Sequence, residues 1–288
     1  MVFFSFLDTH VEPAARVAAH LGLLGLSPEA AHLARNKDKM RKRLTAVDLP
    51  QPEHLVLQPG KPYDAEALAK LLARPCLLKP ADGTASMHIR RFESRSEFDR
   101  HWTGVDPRPT YGKGAIASGR FLLEEFLEGA LVSVETLTLA PGITRILGIT
   151  DRILGGESDC VELGGCLPAN PPFQAECEEL ARQALAAIGF DFGAAHIEML
   201  ITPAGPRLIE INPRLAGALV AQMISTTGGG NLPVDLVRFH CTGDIPDYGP
   251  SAGVATLRAF HSPIDARVRS IRKSSLQESS GVIRYDIF

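Results

Sequence analysis

Glu198, Glu210, Asn212 and Arg214 are the residue types that hold a divalent cation and an anion together. They fall in one stretch, "HIEMLITPAGPRLIEINPRLAG", His196–Gly217. The stretch alternates apolar and polar residues, turns over at Pro-Ala-Gly-Pro and alternates again, which is the pattern of a half-buried hairpin. With the turn centred on Ala204, Glu198 faces Glu210 and His196 faces Asn212, all on one side. Ile197, Met199, Ile209 and Ile211 then point into a core. Opposed side chains in such a pair sit about 4.5–5.5 Å apart at Cβ, and like charges there destabilise the sheet. A cation would offset that repulsion. Hard oxygen ligands suit Mg²⁺, with Mn²⁺ as a substitute. The plainer reading is a wet polar face whose glutamates are answered by lysines. Arg214 adds a guanidinium of the kind a phosphate needs. If the glutamates hold a cation, Glu210→Gln is expected to stabilise the cation-free protein slightly while turnover collapses.

The elements that must position these residues alternate irregularly. Val2–Leu7 reads as a strand and Val11–Leu21 as a helix ended by Gly22. Ser27-Pro28-Glu29 opens another helix. A basic helix spans Asp38–Val47 and stops before Pro50. "HLVLQP" reads as a strand, and Asp64 caps a helix over Ala65–Ala73. "PCLLKPADGTASMHIRRF" reads strand, polar loop, strand. Ser94–Trp102 is a short helix, and the Gly- and Pro-rich Thr103–Arg120 a loop or lid. "FLLEEFLEG" is a strand leading into a turn, followed by paired strands at Val132–Leu139 and Thr144–Ile149 and a helix over Phe173–Ile188. After the hairpin come a helix from Leu215, a triple glycine at 228–230, a helix near Leu232–His240 and weak strand signals beyond Thr242. This order is α+β with antiparallel hairpins. No Gly-x-Gly-x-x-Gly opens a helix and no Walker A sequence occurs, which disfavours a dinucleotide fold or a P-loop.

The 288 residues are 45% hydrophobic and 22% charged, with a formal net charge of −3. That balance gives no general attraction to nucleic acid. The basic run Asn36–Arg43 has a plain reading as a solvated helix face. Cys76, Cys160, Cys166, Cys177 and Cys241 show no C-x-x-C spacing, so neither a disulfide framework nor a zinc site is expected, and a cytoplasmic setting suits them. No apolar run reaches membrane-spanning length, and the N-terminus lacks a signal peptide's layout.

Taken in order, "ARNKDKMRKRL", "LLKPADGTAS", "LLEEFLEG", "SVETL", "VELGGCLPA" and "EINPRLAG" resemble the ATP-grasp superfamily. The nearer resemblance is to its carboxylate–amine ligases of the L-amino-acid ligase type, over residues 30–235. The resemblance implies two α+β lobes gripping ATP: residues 1–30 as the remnant of an N-terminal α/β domain, 31–125 as the small lobe, 126–241 as the large lobe with the metal site, and 242–288 as an extension. It implies a carboxylate activated by ATP and displaced by an amine, giving an amide, ADP and phosphate. Lys79 and Lys39 would meet the phosphates under a flap, Ala81–Ser86, with Ser86 donating its backbone N–H. Glu124 would meet the adenine amino group, and the backbone of Glu125, Phe126 and Leu127 its edge. Glu198, Glu210 and Asn212 would hold Mg²⁺, Arg214 would stabilise the acyl phosphate, and Glu135 and Glu162 would take a substrate ammonium.

This sequence departs from the family in three places. Many relatives carry a ribose-binding acid where Leu131 stands. The flap has only Gly83. The N-terminal portion is short: either the form is compact, or the start is misplaced, or a homodimer or a partner chain completes it. A carboxylase-type relative acting on bicarbonate or formate fits less well. The rival from another class is a catalytically silent nucleotide-binding subunit or regulator.

Overall fold

The computed structural model describes residues 1–111, 114–155, 161–217, 219–244, 248 and 251–259. Three helices come first: α1 (Asp8–His20), α2 (Pro28–Arg35) and α3 (Lys37–Ala46). Then follow β1 (His54–Leu57), α4 (Ala65–Leu71), β2 (Cys76–Pro80), β3 (Arg90–Phe92), α5 (Arg95–Trp102) and β4 (Phe121–Glu125). Next are β5 (Ala130–Ala140), β6 (Ile143–Asp151), β7 (Ile153–Gly155), β8 (Val161–Leu167) and α6 (Gln174–Ala187). The last are β9 (Gly193–Thr202), β10 (Gly205–Asn212), α7 (Val220–Gly228), α8 (Leu232–Thr242) and β11 (Ala255–Arg258).

Helix starts follow local chemistry. Ser27 accepts from the Ala30 N–H before Pro28, Asp64 accepts from Glu66 and Ala67, and Ser94 accepts from Glu97, each satisfying N–H groups that a helix leaves orphaned. Two expectations fail. Val2–Leu7 forms no strand. Phe4 packs instead, its ring stacked 4.3 Å from that of His240, while Phe3, Phe6 and Leu7 stay exposed. The helix expected from Leu215 starts at Val220, because Leu215 and Ala216 enter the core in non-helical backbone. Of the tail, β11 pairs antiparallel with β8; residues 260–288 lie outside the described residues.

Among the described residues the strands form three antiparallel sheets, ordered β1-β4-β2-β3, β10-β9-β5-β6 and β11-β8-β7. Period-two alternation divides the two larger ones. In the first, Leu57, Cys76, Leu78, Phe92, Phe121 and Leu123 pack with Leu68 and Phe98 of α4 and α5. Leu77, Lys79, Arg91 and Glu124 point the other way. In the second, Val134, Ile197, Met199, Leu208 and Ile211 pack on Met40 and Leu44 of α3 and Leu180 and Ala184 of α6. Their alternates Glu198 and Leu200 share a cavity with the outward face of the first sheet.

The β9–β10 hairpin reaches its expected pairing by an unexpected route. At the turn Thr202 pairs with Gly205 and Met199 with Leu208, one residue out of the phase a turn centred on Ala204 would set. A bulge between Leu208 and Glu210 then restores it: Glu198 pairs with Glu210, Ile197 with Ile211 and His196 with Asn212. The extra residue corrects one expectation. Ile209 lines the cavity rather than the core, and Leu208 takes the buried place.

The β4–β5 connection ends at Gly129, where a Cβ would drive into the Ile201 carbonyl of β9. Gly129→Ala should therefore lower stability by about 1–3 kcal/mol through a forced backbone shift. A urea midpoint unchanged from the parent protein would show that the strands move apart freely.

Candidate functional site

The outward faces of the two four-stranded sheets enclose a cavity of about 420 Å³. Lys37, Lys79, Gly83–Met87, Glu124–Gly129, Leu131, Glu198, Ile209 and Glu210 line it. Glu135, Glu162, Asn212 and Arg214 do not.

Glu124 anchors one end. It is 2% exposed, accepts from Arg41 Nε at 2.7 Å and meets Lys79 Nζ at 2.5 Å. Arg41, fully buried, also donates to the carbonyls of Leu208 and Ile209, each at 2.8 Å. Burial alone would raise the Glu124 pKa, but the two cations outweigh it and hold the carboxyl at about 2. Burial lowers the Lys79 pKa, with Arg41 and Lys37 adding to the effect and Glu124 opposing it.

The connection after β4 is held from behind. The N–H groups of Glu125 and Phe126 donate to the carbonyls of Glu53 and Pro75, whereas that of Leu127 meets no backbone carbonyl among the described residues. The Glu125 side chain turns to Arg74, 2.8 Å away, and to the Glu53 N–H. The Arg91 guanidinium lies 3.8 Å over the Phe126 ring.

The loop after β2 is strained. Ala85, Ser86 and His88 all have positive φ, a conformation that costs non-glycine residues energy and clusters at functional sites. The Thr84 and Ala85 N–H groups are not taken by backbone carbonyls among the described residues. Lys37 Nζ donates to Gly83 O at 3.0 Å and pairs with Glu210 at 2.7 Å. Lys37, not Lys39, is therefore the second lysine at the cavity. Lys39 is exposed, because residues two apart on a helix point about 200° apart.

Glu198 and Glu210 pair across β9 and β10 as expected, but the chain already answers their repulsion. Lys37 meets Glu210, and His196 Nε2 lies 3.1 Å from Glu198. His196 Nδ1 lies 2.8 Å from Glu135. Burial would lower the His196 pKa, yet the two carboxylates raise it to about 9. Glu135 is buried in this network and also accepts from Ser133, while Glu162 pairs with Arg152. Both acids expected for an ammonium thus face cations of the chain itself.

Asn212 is the residue that still points to a cation. It is 7% exposed, and its carboxamide makes no hydrogen bond among the described residues. Among those residues no group of three or more His, Cys, Asp or Glu is placed to hold a metal. The donor set is two carboxylates and a carboxamide, which fits a hard cation that completes its shell with outside oxygens. Arg214 lies beyond Asn212 and is fastened to Asp8, Nε to Oδ1 at 2.5 Å and Nη2 to Oδ2 at 2.8 Å.

Three participants escape a linear reading: Asp8, Lys37 and Arg41. The last two share a helix face at i and i+4, a signal the basic run contains. Asp8 shows no local signal.

Residues 72–222 match the family described as the ATP-grasp domain. The chain belongs to the ATP-grasp family. Within that family it is 28% identical over 255 residues to carnosine synthase 1 of Homo sapiens, covering 83% of this chain and 30% of that protein. It is 26% identical over 198 residues to the D-alanine–D-alanine ligase of Corynebacterium jeikeium, covering 64% and 50%. The solved structure of an L-amino acid ligase from Bacillus licheniformis superposes with a TM-score of 0.69 at 21% identity, covering 87% of this chain and 59% of that one. These ATP-grasp relatives support the α+β fold expected from the sequence, and the chain spans less than two thirds of each one's length. No helix among the described residues is long and apolar enough to cross a membrane.

Proposed function

We propose that the chain is an ATP-dependent carboxylate–amine ligase. It would activate a small acid, an amino acid or a close analogue, as an acyl phosphate and join it to an amine, releasing ADP and phosphate. The observation that carries this is the cavity itself. It joins a buried Lys79–Glu124–Arg41 group at one end to paired glutamates at the other, in a family whose relatives here are named as ligases and a synthase.

In this reading the Leu127 N–H and Glu124 meet the adenine edge, with Phe126 held by Arg91. Glu128, which also lines the cavity, is the carboxylate left for the ribose hydroxyls now that Leu131 is apolar. Lys37, Lys79 and the N–H groups of Thr84, Ala85 and Ser86 meet the phosphates, since small side chains let backbone donors come close. Glu198, Glu210 and Asn212 would hold Mg²⁺, which neutralises phosphate charge during transfer. Arg214 faces the charge that develops as the amine attacks. One observation favours a silent nucleotide-binding protein: the bidentate edge of Arg214 is already filled by Asp8.

Purified protein should show a thermal shift with millimolar MgATP. Phosphate release should require both an acid and an amine, and hydroxylamine should trap the acyl phosphate as a hydroxamate. No shift would overturn the nucleotide site. Nucleotide binding without hydroxamate across pooled amino acids would leave the silent reading standing.

A further inference from the structure

Asp8 is the first residue of α1 and lies far in sequence from everything it touches. One oxygen, Oδ1, accepts from Arg214 Nε at 2.5 Å. The other, Oδ2, accepts from Arg214 Nη2 at 2.8 Å and from Thr84 Oγ1 at 2.5 Å. The Arg214 and Asp8 side chains are only 15% and 14% exposed. A buried, two-point pair of this kind fixes orientation in a way a surface ion pair does not. Thr84 belongs to the strained loop after β2, and Arg214 follows the strand that carries Glu210. A single carboxylate therefore joins the two segments.

The geometry also fixes what Arg214 can offer. Nε and Nη2 are spent on Asp8, and Nη1 donates to Leu215 O at 2.9 Å. Of the five N–H groups of a guanidinium, the two left over are one on each terminal nitrogen, along the end-on edge. That guanidinium also lies in the field of Glu210 and Glu198, which without Asp8 would be its remaining counter-charges. It would compete for the oxygens the ligase reading gives to a cation.

We infer that Asp8 is a positioning residue: it holds Arg214 with its end-on edge presented, keeps it off the glutamate face, and ties it to the phosphate loop through Thr84. The first turn of α1 is then part of the reaction centre. This rests on the ligase reading for its catalytic consequence, but not for the tether itself.

The test uses full-length Asp8→Asn, which keeps the shape and removes the charge, with Thr84→Val as a second variant that leaves the ion pair intact. In Asp8→Asn the kcat for hydroxamate formation should fall about 10-fold or more, as expected for a displaced group, while the Kd for MgATP stays within about 2-fold. On an Arg214→Lys background the same substitution should add little, because both act through one guanidinium. Amide exchange in residues 82–89 of the nucleotide-free protein should quicken in both variants. Unchanged kcat, effects additive with Arg214→Lys, or unchanged loop exchange would each overturn the inference. A parent protein that forms no hydroxamate overturns the ligase reading instead, and the exchange result then decides whether Asp8 tethers the loop.

Discussion

The Glu124→Gln protein should unfold at a much lower urea concentration than its parent, having lost about 3–5 kcal/mol. Glu124 is 2% exposed and is shared by two cations, Arg41 at 0% and Lys79 at 5%. Glutamine preserves shape and one acceptor but leaves both cations buried without a counter-charge, the costly way to break such a group. A loss below about 1 kcal/mol would mean the group behaves as a solvated surface pair. The same carboxylate gives an acid limb. Its folded pKa, near 2, lies below its ordinary value of 4.5, so its contribution is complete above 4.5 and is lost as pH falls from there through 2. Urea midpoints measured across that window should drop for the parent and drop less for Glu124→Gln.

Glu210→Gln should lower Mg²⁺-dependent turnover by about 100-fold or more, given that a bound cation supplies several kcal/mol of charge stabilisation. The structure reverses the companion expectation that the cation-free protein would be stabilised. Glu210 is the counter-charge of Lys37, which is 5% exposed, so its neutral variant strands a buried ammonium. Stability should fall by about 1–3 kcal/mol. Adding Lys37→Met should return much of that stability and none of the turnover. Turnover unchanged at equal Mg²⁺ and ATP would remove the metal role and weaken the ligase proposal built on it.

Much of this was legible because it is local. Capping serines and aspartates, the period-two strands and the shared face of Glu198, Glu210, His196 and Asn212 all depend on residues close in sequence. The hairpin shows the limit even there: the correct opposition of the two glutamates came from a turn position that is off by one and a bulge that puts it back. The repulsion between those glutamates is answered within the chain by Lys37 and His196, and which lysine reaches Glu210 depends on how α3 packs, not on the hairpin's own residues. Placing Lys37 rather than Lys39 at the cavity needs the buried side of α3, which depends on the sheets packed against it. Val2–Leu7 has the composition of a strand, but a strand needs a partner, and α8 offers its first residues an aromatic ring instead. Asp8 meets Arg214 only through the tertiary fold.

The bulge in β10 has a mechanical consequence. Its two carbonyls, Leu208 and Ile209, are gripped by the same Arg41 side chain that grips Glu124 on the other sheet. Arg41 is a strut between the strand that leads into the connection after β4 and the strand that carries Glu210. The sheets cannot separate at this point without giving up three charge-assisted hydrogen bonds in a buried place. If the cavity opens to load or release a ligand, its axis of rotation therefore passes close to Arg41. On such an opening the largest excursions would fall on the parts farthest from it, and the extra residue that looks like a flaw in the ladder would be the fixed bearing about which they turn.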